Sequence, residues 1–157
     1  MKFIVFGGGG KVARHFARLA VADGHSVISV VRNEDQCVRH AMVQGRSAHI
    51  SHADLKKLGA EPTVLSIEDA PVSDFTALFT SHKPDAIIWS AGAGGKGEKS
   101  RTQKVDYEGA VKVYDAMEAG NIKRLLLVGA IDVRSRDKGY PEYYNDESST
   151  FGYSSSR

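Results

Sequence analysis

The sequence predicts an α/β fold, a doubly wound parallel sheet of about five strands in the order 3-2-1-4-5. Three observations lead to this prediction. Short apolar runs alternate with amphipathic stretches from residue 3 to residue 128, the first run is wholly apolar, and glycine-rich turns follow two of the runs. Such alternation is typical of right-handed crossovers that place helices on both faces of one parallel sheet.

The first unit runs from residue 1 to Arg32 and has the order strand, glycine turn, helix, strand. We expect a strand over residues 3–6, a helix over 11–23 that Gly24 ends through a positive φ, and a second strand over 25–31. The helix is expected to pack through the residues at positions i, i+4, i+7 and i+8, which are Val12, Phe16, Leu19 and Ala20.

The glycine turn of this unit has the spacing of a dinucleotide-binding loop. Gly7, Gly10 and Ala13 read G-x-x-G-x-x-A, with one residue for the turn, one where backbone approaches a diphosphate, and one where helix packs on sheet. The helix that follows would direct free N–H groups and its positive dipole end at phosphates. The alternative is a plain flexible turn, but the flanking strands and helix favour a nucleotide site.

Arg32 bears on which nucleotide is preferred. A cation at the end of the second strand suits a 2′-phosphate, whereas an acidic side chain there holds the ribose 2′-hydroxyl of NAD. A guanidinium makes paired, charge-assisted hydrogen bonds to phosphate. We therefore predict NADP(H) as the cofactor, with NAD as the alternative if Glu34 reaches the ribose.

The remaining elements follow in alternation. A helix within residues 33–45 and a surface excursion over 46–51 are the least defined. We expect a short helix over 51–59, a strand over 63–66, a helix over 74–79 capped by Ser73, and a strand over 85–89. A long helix over 101–119 precedes a strand over 124–128, and its inward residues are expected to be Val105, Val111, Tyr114 and Met117.

A second glycine-rich stretch, residues 90–97, follows the fourth predicted strand. Ligands of such sheets lie outside the carboxyl ends of the strands, so this loop should sit beside the first one. The alternative is a mobile linker. Four basic residues lie at the end of this stretch and just after it, at Lys96, Lys99, Arg101 and Lys104. They are typical of a solvated loop and helix start, or of a patch that adds to the electrostatic field around an anionic ligand.

Composition narrows the classes of partner. The formal net charge is +2 and the basic residues are scattered, so we expect neither nucleic acid nor a membrane surface as partner. Cys37 stands alone, which excludes an intrachain disulfide, and no secretory signal or membrane span is recognisable; a cytoplasmic location is expected.

No metal site is predicted from the residue pattern. His49, His52 and Asp54 lack a convincing spacing for a metal, and Asp106 and Glu108, two residues apart on a helix, do not share a face as an acid/base pair would.

Five motifs in order resemble the atypical short-chain dehydrogenase/reductases, in particular a fungal, NAD-dependent epimerase/dehydratase-like branch. They cover about residues 2–146 and are residues 6–12, 31–33, 90–97, 105–110 and 130–134. The resemblance implies a Rossmann NAD(P)-binding domain over residues 1–131, followed by an irregular tail over 132–157. It implies that a nicotinamide dinucleotide is held by Gly7, Gly9, Gly10, Lys11, Val12, Arg32, Asn33, Ser90, Ala91 and Gly92.

The catalytic residues that the resemblance implies are not found. The family serine after the fifth strand would fall at Gly129, and no Tyr-x-x-x-Lys pair exists; Tyr153 is followed by Arg157 at that spacing. We therefore expect no catalytic residues here and a chain truncated before the substrate-binding part, so that whether it is an enzyme stays open.

Three functions remain from the sequence: an NADP(H)-binding domain without turnover of its own, an oxidoreductase whose substrate site a dimer partner completes, and an interaction protein on a decayed fold that could self-associate as a homo-oligomer.

Overall fold

A computed structural model describes residues 1–32, 52–93 and 99–129 of the chain. The predicted helix within 33–45, the excursion over 46–51, the second half of the loop over 90–97 and the tail over 132–157 lie outside these residues. The strands are β1 (Lys2–Phe6), β2 (Ser26–Val31), β3 (Glu61–Val64), β4 (Ala86–Trp89) and β5 (Leu125–Leu127). The helices are α1 (Lys11–Ala22), α2 (His52–Lys57), α3 (Val72–His82), α4 (Lys99–Thr102), a π-helical segment (Gln103–Glu108) and α5 (Gly109–Ala119).

The five described strands form one parallel sheet in the order β3-β2-β1-β4-β5, which confirms the predicted topology. β1 lies at the centre, where Val5 is in register with Ser29 of β2 and with Ile88 of β4. The chain changes direction of travel across the sheet between β3 and β4, so the connections that leave the carboxyl ends of β1 and β4 lead to helices on opposite faces of the sheet. This is the point at which doubly wound sheets bind ligands.

Each face of the sheet has its own apolar core. On one face, alanines of α1 pack on Val5, Val27 and Ile88. On the other, Phe6 stacks on Phe75 of α3 with ring centroids 5.6 Å apart, and this cluster also holds Trp89 and Val113 of α5. Alternate β1 residues enter opposite cores, because successive side chains of a strand point to opposite faces.

The inward face of α1 differs from the prediction. Val12 and Leu19 are 55% and 46% exposed, whereas Ala13, Ala17 and Ala20 are buried. The small alanine side chains bring the helix axis close to the sheet, and the larger apolar residues are left on its flanks. The prediction was right for Ala20, which is buried, and for Phe16, which is partly buried against the core, and wrong for Val12 and Leu19, because close packing here favours small residues.

The inward face of the last helix was also predicted wrongly in part. Val105 and Met117 are buried as expected, but Val111 and Tyr114 are exposed. Their places in the core are taken by Gly109, Val113 and Ala116. The predicted single helix is divided by the π-helical segment, whose bonds span five residues instead of four.

Several element boundaries differ from the expectations. β3 begins at Glu61, before the predicted residue 63, and includes Pro62, which is tolerated because β3 is an edge strand. Helix α3 has Pro71 at its N-cap, and Ser73 lies inside its first turn without capping it. The predicted positive φ at Gly24 is confirmed at 78°. Within the described residues, no helix has the length and apolar character needed to cross a membrane.

Candidate functional site

Two loops meet at the carboxyl edge of the sheet, the glycine loop (residues 7–10) after β1 and the second loop (residues 90–93) after β4. Gly7 has a φ of 73°, and a Cβ on it would lie 2.6 Å from the carbonyl oxygen of Ser90 and 2.7 Å from the Cα of Ala91. The N–H of Ser90 donates to the carbonyl of Phe6 at 3.1 Å. The backbones of the two loops are therefore in direct contact, and only glycine fits at residue 7.

The glycine loop contacts β2 through Gly8, which is not one of the predicted site residues. The Gly8 N–H donates to the carbonyl of Val30 at 2.8 Å, and a Cβ on Gly8 would lie 2.7 Å from the Cβ of buried Ser29. The sequence shows that residue 8 is a glycine, within the run of four, but only the fold shows that it lies against Ser29 of β2.

The loop leads into an uncapped helix end. The N–H of Gly10 donates back to the carbonyl of Gly7, and the carbonyl of Gly10 accepts the first helical bond, from Arg14. The N–H groups of Lys11 and Val12 precede that bond, and no side chain caps the helix at Gly10. A Cβ on Gly9 would meet no described residue within 4 Å, so this part of the chain leaves open space over the loop. Backbone donors, a positive dipole end and room above them fit a diphosphate.

The second loop is held by a side chain of the π-helical segment. Asp106 Oδ1 accepts a hydrogen bond from the N–H of Ala93 at 2.7 Å, and lies 3.6 Å from where a Cβ on Gly92 would be. Gly92 is exposed, and Ser90 and Ala91 are half-buried. The sequence reasoning weighed Asp106 only as half of a carboxylate pair and missed this contact, which joins residues thirteen positions apart.

At the other end of the edge, three charged side chains from three elements form the arginine–glutamate triad: Arg32 after β2, Glu68 after β3 and Arg101 in α4. The Arg32 Nη1 donates to Glu68 Oε1 at 3.2 Å. Arg101 donates to the same oxygen from Nε at 3.2 Å and from Nη2 at 3.0 Å. The hydrogen bond and charge of Arg101, with the smaller effect of Arg32, hold the pKa of Glu68 below its usual range.

The backbone that carries Glu68 is fixed by Lys112 of α5. The Lys112 Nζ donates to the carbonyls of Ile67, Glu68 and Ala70, at 3.1, 3.1 and 2.9 Å. An ammonium has three donors, and here all three bind one short loop. Gly109 lets α5 come this close, because a Cβ on it would lie 2.4 Å from Ile67 Cγ2.

The structure thus brings most of the sequence-predicted residues to one edge of the sheet. The glycine loop, Lys11 and Val12 are together with Ser90, Ala91 and Gly92, and Arg32 follows the adjacent strand. Asn33 lies outside the described residues. Gly129, the position of the expected family serine, is exposed after β5. Among the described residues, no group of three or more His, Cys, Asp or Glu side chains could hold a metal ion.

This architecture, with a glycine loop that leads into an uncapped helix at the edge of a 3-2-1-4-5 sheet, defines a nucleotide-binding protein of the Rossmann class. A family model described as NAD(P)H-binding matches residues 7–155. The chain belongs to this NAD(P)H-binding family.

Relatives in curated collections agree with the fungal resemblance seen in the sequence. A UPF0659 protein of Schizosaccharomyces pombe is 41% identical over 142 residues, which cover 90% of this chain and 51% of the relative. A UPF0659 protein of Saccharomyces cerevisiae is 34% identical over 151 residues, or 92% of this chain and 59% of the relative. A Bacillus subtilis protein named as an uncharacterized sugar epimerase is 29% identical and is covered to 56%. The chain spans about half the length of the curated relatives it matches.

Solved structures support the fold. A candidate NAD-dependent epimerase/dehydratase of Bacillus halodurans has a TM-score of 0.70 and 28% identity, over 90% of this chain and 57% of that one. The Bordetella bronchiseptica enzyme WbmG, solved in complex with NAD, has a TM-score of 0.59 at 20% identity, over 81% of this chain and 36% of that one. The second likeness concerns the fold alone.

Proposed function

We propose that this chain is the NADP(H)-binding domain of an atypical short-chain dehydrogenase/reductase, and that it has no turnover of its own. The observation that carries the proposal is the contact between the two loops: Gly7 and Ser90 lie backbone to backbone beside the uncapped start of α1. This leaves a surface of backbone donors that suits a diphosphate.

In this proposal the diphosphate is held over Gly7, Gly9 and Gly10 and by the N–H groups of Lys11 and Val12. Ser90, Ala91 and Gly92 lie along the nicotinamide half. The adenosine ribose lies toward Arg32 and Asn33, as in other folds of this class. The bound dinucleotide would supply hydride chemistry, while these residues only bind and orient it.

The preference for NADP(H) over NAD(H) is supported by charge. Arg32 follows β2, and Arg101 lies close enough to share an oxygen of Glu68 with it. Both guanidiniums lie where we propose the 2′-phosphate, and a guanidinium makes charge-assisted hydrogen bonds to phosphate. NAD(H) is the alternative, in which Glu68 would accept a hydrogen bond from the ribose 2′-hydroxyl.

The absence of turnover is supported by Gly129, which has no side chain to act where the family serine is expected. We propose the Rossmann domain as residues 1–131 and a cytoplasmic location for it. The oxidoreductase alternative would need a partner copy to complete the substrate site.

Fluorescence titration tests binding. We expect saturable binding of NADPH with a Kd at least tenfold lower than that of NADH, because a paired guanidinium–phosphate contact contributes on the order of 1.5–3 kcal/mol. No saturable binding of either up to millimolar concentration would dismiss the proposal, and equal affinities would leave only the coarser NAD(P)-binding assignment.

Turnover is tested separately by following NADPH oxidation with quinones, aldehydes and ketones. We expect no rate above that of NADPH in buffer. A rate that rises with protein concentration would instead support the oxidoreductase alternative, and a Tyr153→Phe variant would then show whether that tyrosine takes part.

A further inference from the structure

The arginine–glutamate triad has an unusual geometry for a surface ion pair. Three N–H donors from two guanidiniums converge on one carboxylate oxygen, Oε1 of Glu68, at 3.0 to 3.2 Å. A guanidinium and a carboxylate pair most often through two parallel bonds to two oxygens. Convergence of several donors on one anionic oxygen is the arrangement that a phosphate oxygen also accepts.

The two guanidiniums of the triad share a single carboxylate. Glu68 carries one negative charge and pairs with both Arg32 and Arg101. A phosphate monoester carries close to two negative charges at neutral pH and has three acceptor oxygens. It would therefore compete effectively with the single carboxylate for the same donors.

The triad is both reachable and rigid. The side chains of Arg32, Arg101 and Glu68 are 41%, 34% and 24% exposed, so a ligand in solvent can contact all three. The loop of Glu68 is held by the three bonds from Lys112, so the carboxylate extends from a fixed backbone. A movement of its side chain alone would take this carboxylate away from both guanidiniums.

We propose that Arg101 is a second ligand of the 2′-phosphate beside Arg32, and that Glu68 is an internal anion that holds the same donors until the phosphate displaces it. This inference rests on the proposed NADP(H) function and names the specificity residues of that site. Arg101 raises the affinity for the phosphorylated ribose, and Glu68 lowers it. Arg101 is also one of the four basic residues at the end of the second glycine-rich stretch and just after it.

Two other roles would give different results. If Glu68 only connects α4 to the loop after β3, its loss would lower the stability of the protein and weaken the binding of all nucleotides alike. If Glu68 holds a ribose 2′-hydroxyl, its loss would weaken binding of the nucleotide that lacks the phosphate.

The experiment compares 2′,5′-ADP (adenosine 2′,5′-bisphosphate) with 5′-AMP by isothermal titration calorimetry at one fixed ionic strength, because these probes differ only in the 2′-phosphate. The variants are Arg101→Ala and Glu68→Gln. The controls are Arg124→Ala and Glu118→Gln, which remove the same charges at exposed positions before β5 and in α5. Thermal unfolding of each variant checks that it is folded.

For Arg101→Ala we expect about tenfold weaker binding of 2′,5′-ADP, with binding of 5′-AMP changed less than twofold. For Glu68→Gln we expect binding of 2′,5′-ADP to strengthen about threefold, since the amide keeps the shape of the side chain but loses the competing charge. Both controls should match the wild type. Should Arg101→Ala fail to fold, Arg101→Lys keeps the charge and should show an intermediate loss.

Equal weakening of both probes, or no change in Arg101→Ala, would overturn the role of Arg101. Weaker binding of 5′-AMP in Glu68→Gln would assign Glu68 to the ribose hydroxyl, and unchanged 2′,5′-ADP binding would overturn its role as a competitor. If the wild type prefers NADPH and the Arg101→Ala variant keeps that preference undiminished, only this inference fails. If the wild type binds neither NADPH nor NADH, the proposed function fails with it.

Discussion

The two ends of the candidate site differ in whether backbone atoms or side chains make the contacts. At the end next to α1, the contacts are between backbone atoms of the glycine loop and the second loop, and side chains are largely missing. At the other end, three charged side chains meet over the carboxyl ends of β2 and β3. Backbone donors cannot distinguish one diphosphate from another, whereas side chains at the ribose can. We therefore propose that the end next to α1 supplies affinity for the dinucleotide, and that the other end supplies discrimination between NADP(H) and NAD(H).

The largest expected effect is at the backbone end. Gly7→Ala would place a Cβ against the backbone of Ser90 and Ala91 at a φ of 73°, so we expect a loss on the order of 3 kcal/mol in the free energy of unfolding. Binding of NADPH and NADH should be lost together. Chemical denaturation and nucleotide titration measure the two effects.

Gly9→Ala is the matched control for Gly7→Ala. Its Cβ would meet no described residue within 4 Å, so we expect stability to change by less than about 0.5 kcal/mol. Binding should still weaken, since the methyl group would occupy the space proposed for the diphosphate. Unchanged binding in Gly9→Ala would place the ligand away from this loop.

The loop that carries Glu68 depends on one ammonium. Lys112→Met keeps the apolar stem but leaves three carbonyls without their donor, and we expect a loss of about 2 kcal/mol in the free energy of unfolding. Lys123→Met, at an exposed lysine, removes the same charge and should change stability little. Equal stability of the two variants in urea denaturation would contradict the anchoring role of Lys112.

Arg32→Ala tests discrimination at the ribose end. We expect the Kd for NADPH to rise about tenfold and that for NADH to change less than twofold, because only the phosphate loses a charge-assisted contact. Arg18→Ala, at an exposed arginine of α1, serves as the control. A parallel rise in both Kd values would mean that Arg32 acts on the adenosine in general, not on its phosphate.

The smallest expected effect is on acid stability. The arginines lower the pKa of Glu68 in the folded state from its ordinary value of 4.5, so the stability that they confer is present above pH 4.5 and is lost as the pH falls through the folded-state value. The difference in unfolding free energy between wild type and Glu68→Gln should therefore shrink below pH 4.5. Urea denaturation at a series of pH values measures it, and a difference that grows with acid would contradict the sign.

The order of elements, the sheet topology and the place of the glycine loop were predictable from the sequence. Strands and helices impose different periods on apolar residues, and Gly7 and Gly24 stand where positive φ values are needed. The inward faces of α1 and α5 were less predictable. Ala13 and Val113 are buried while Val12 and Tyr114 are exposed, because the space between helix and sheet selects side chains by size as well as hydrophobicity.

The sequence by itself determined that this chain is a parallel α/β domain with a nucleotide loop after its first strand, since those features depend on neighbouring residues. Only the tertiary structure decided that Glu68 meets Arg32 and Arg101, and that Lys112 holds the loop beneath them. Glu68 is 36 positions from Arg32 and 33 from Arg101, and Lys112 is 42 to 45 positions from the carbonyls that it binds. The strand order and the crossovers bring them together, and no local pattern encodes which side chains meet across a sheet edge.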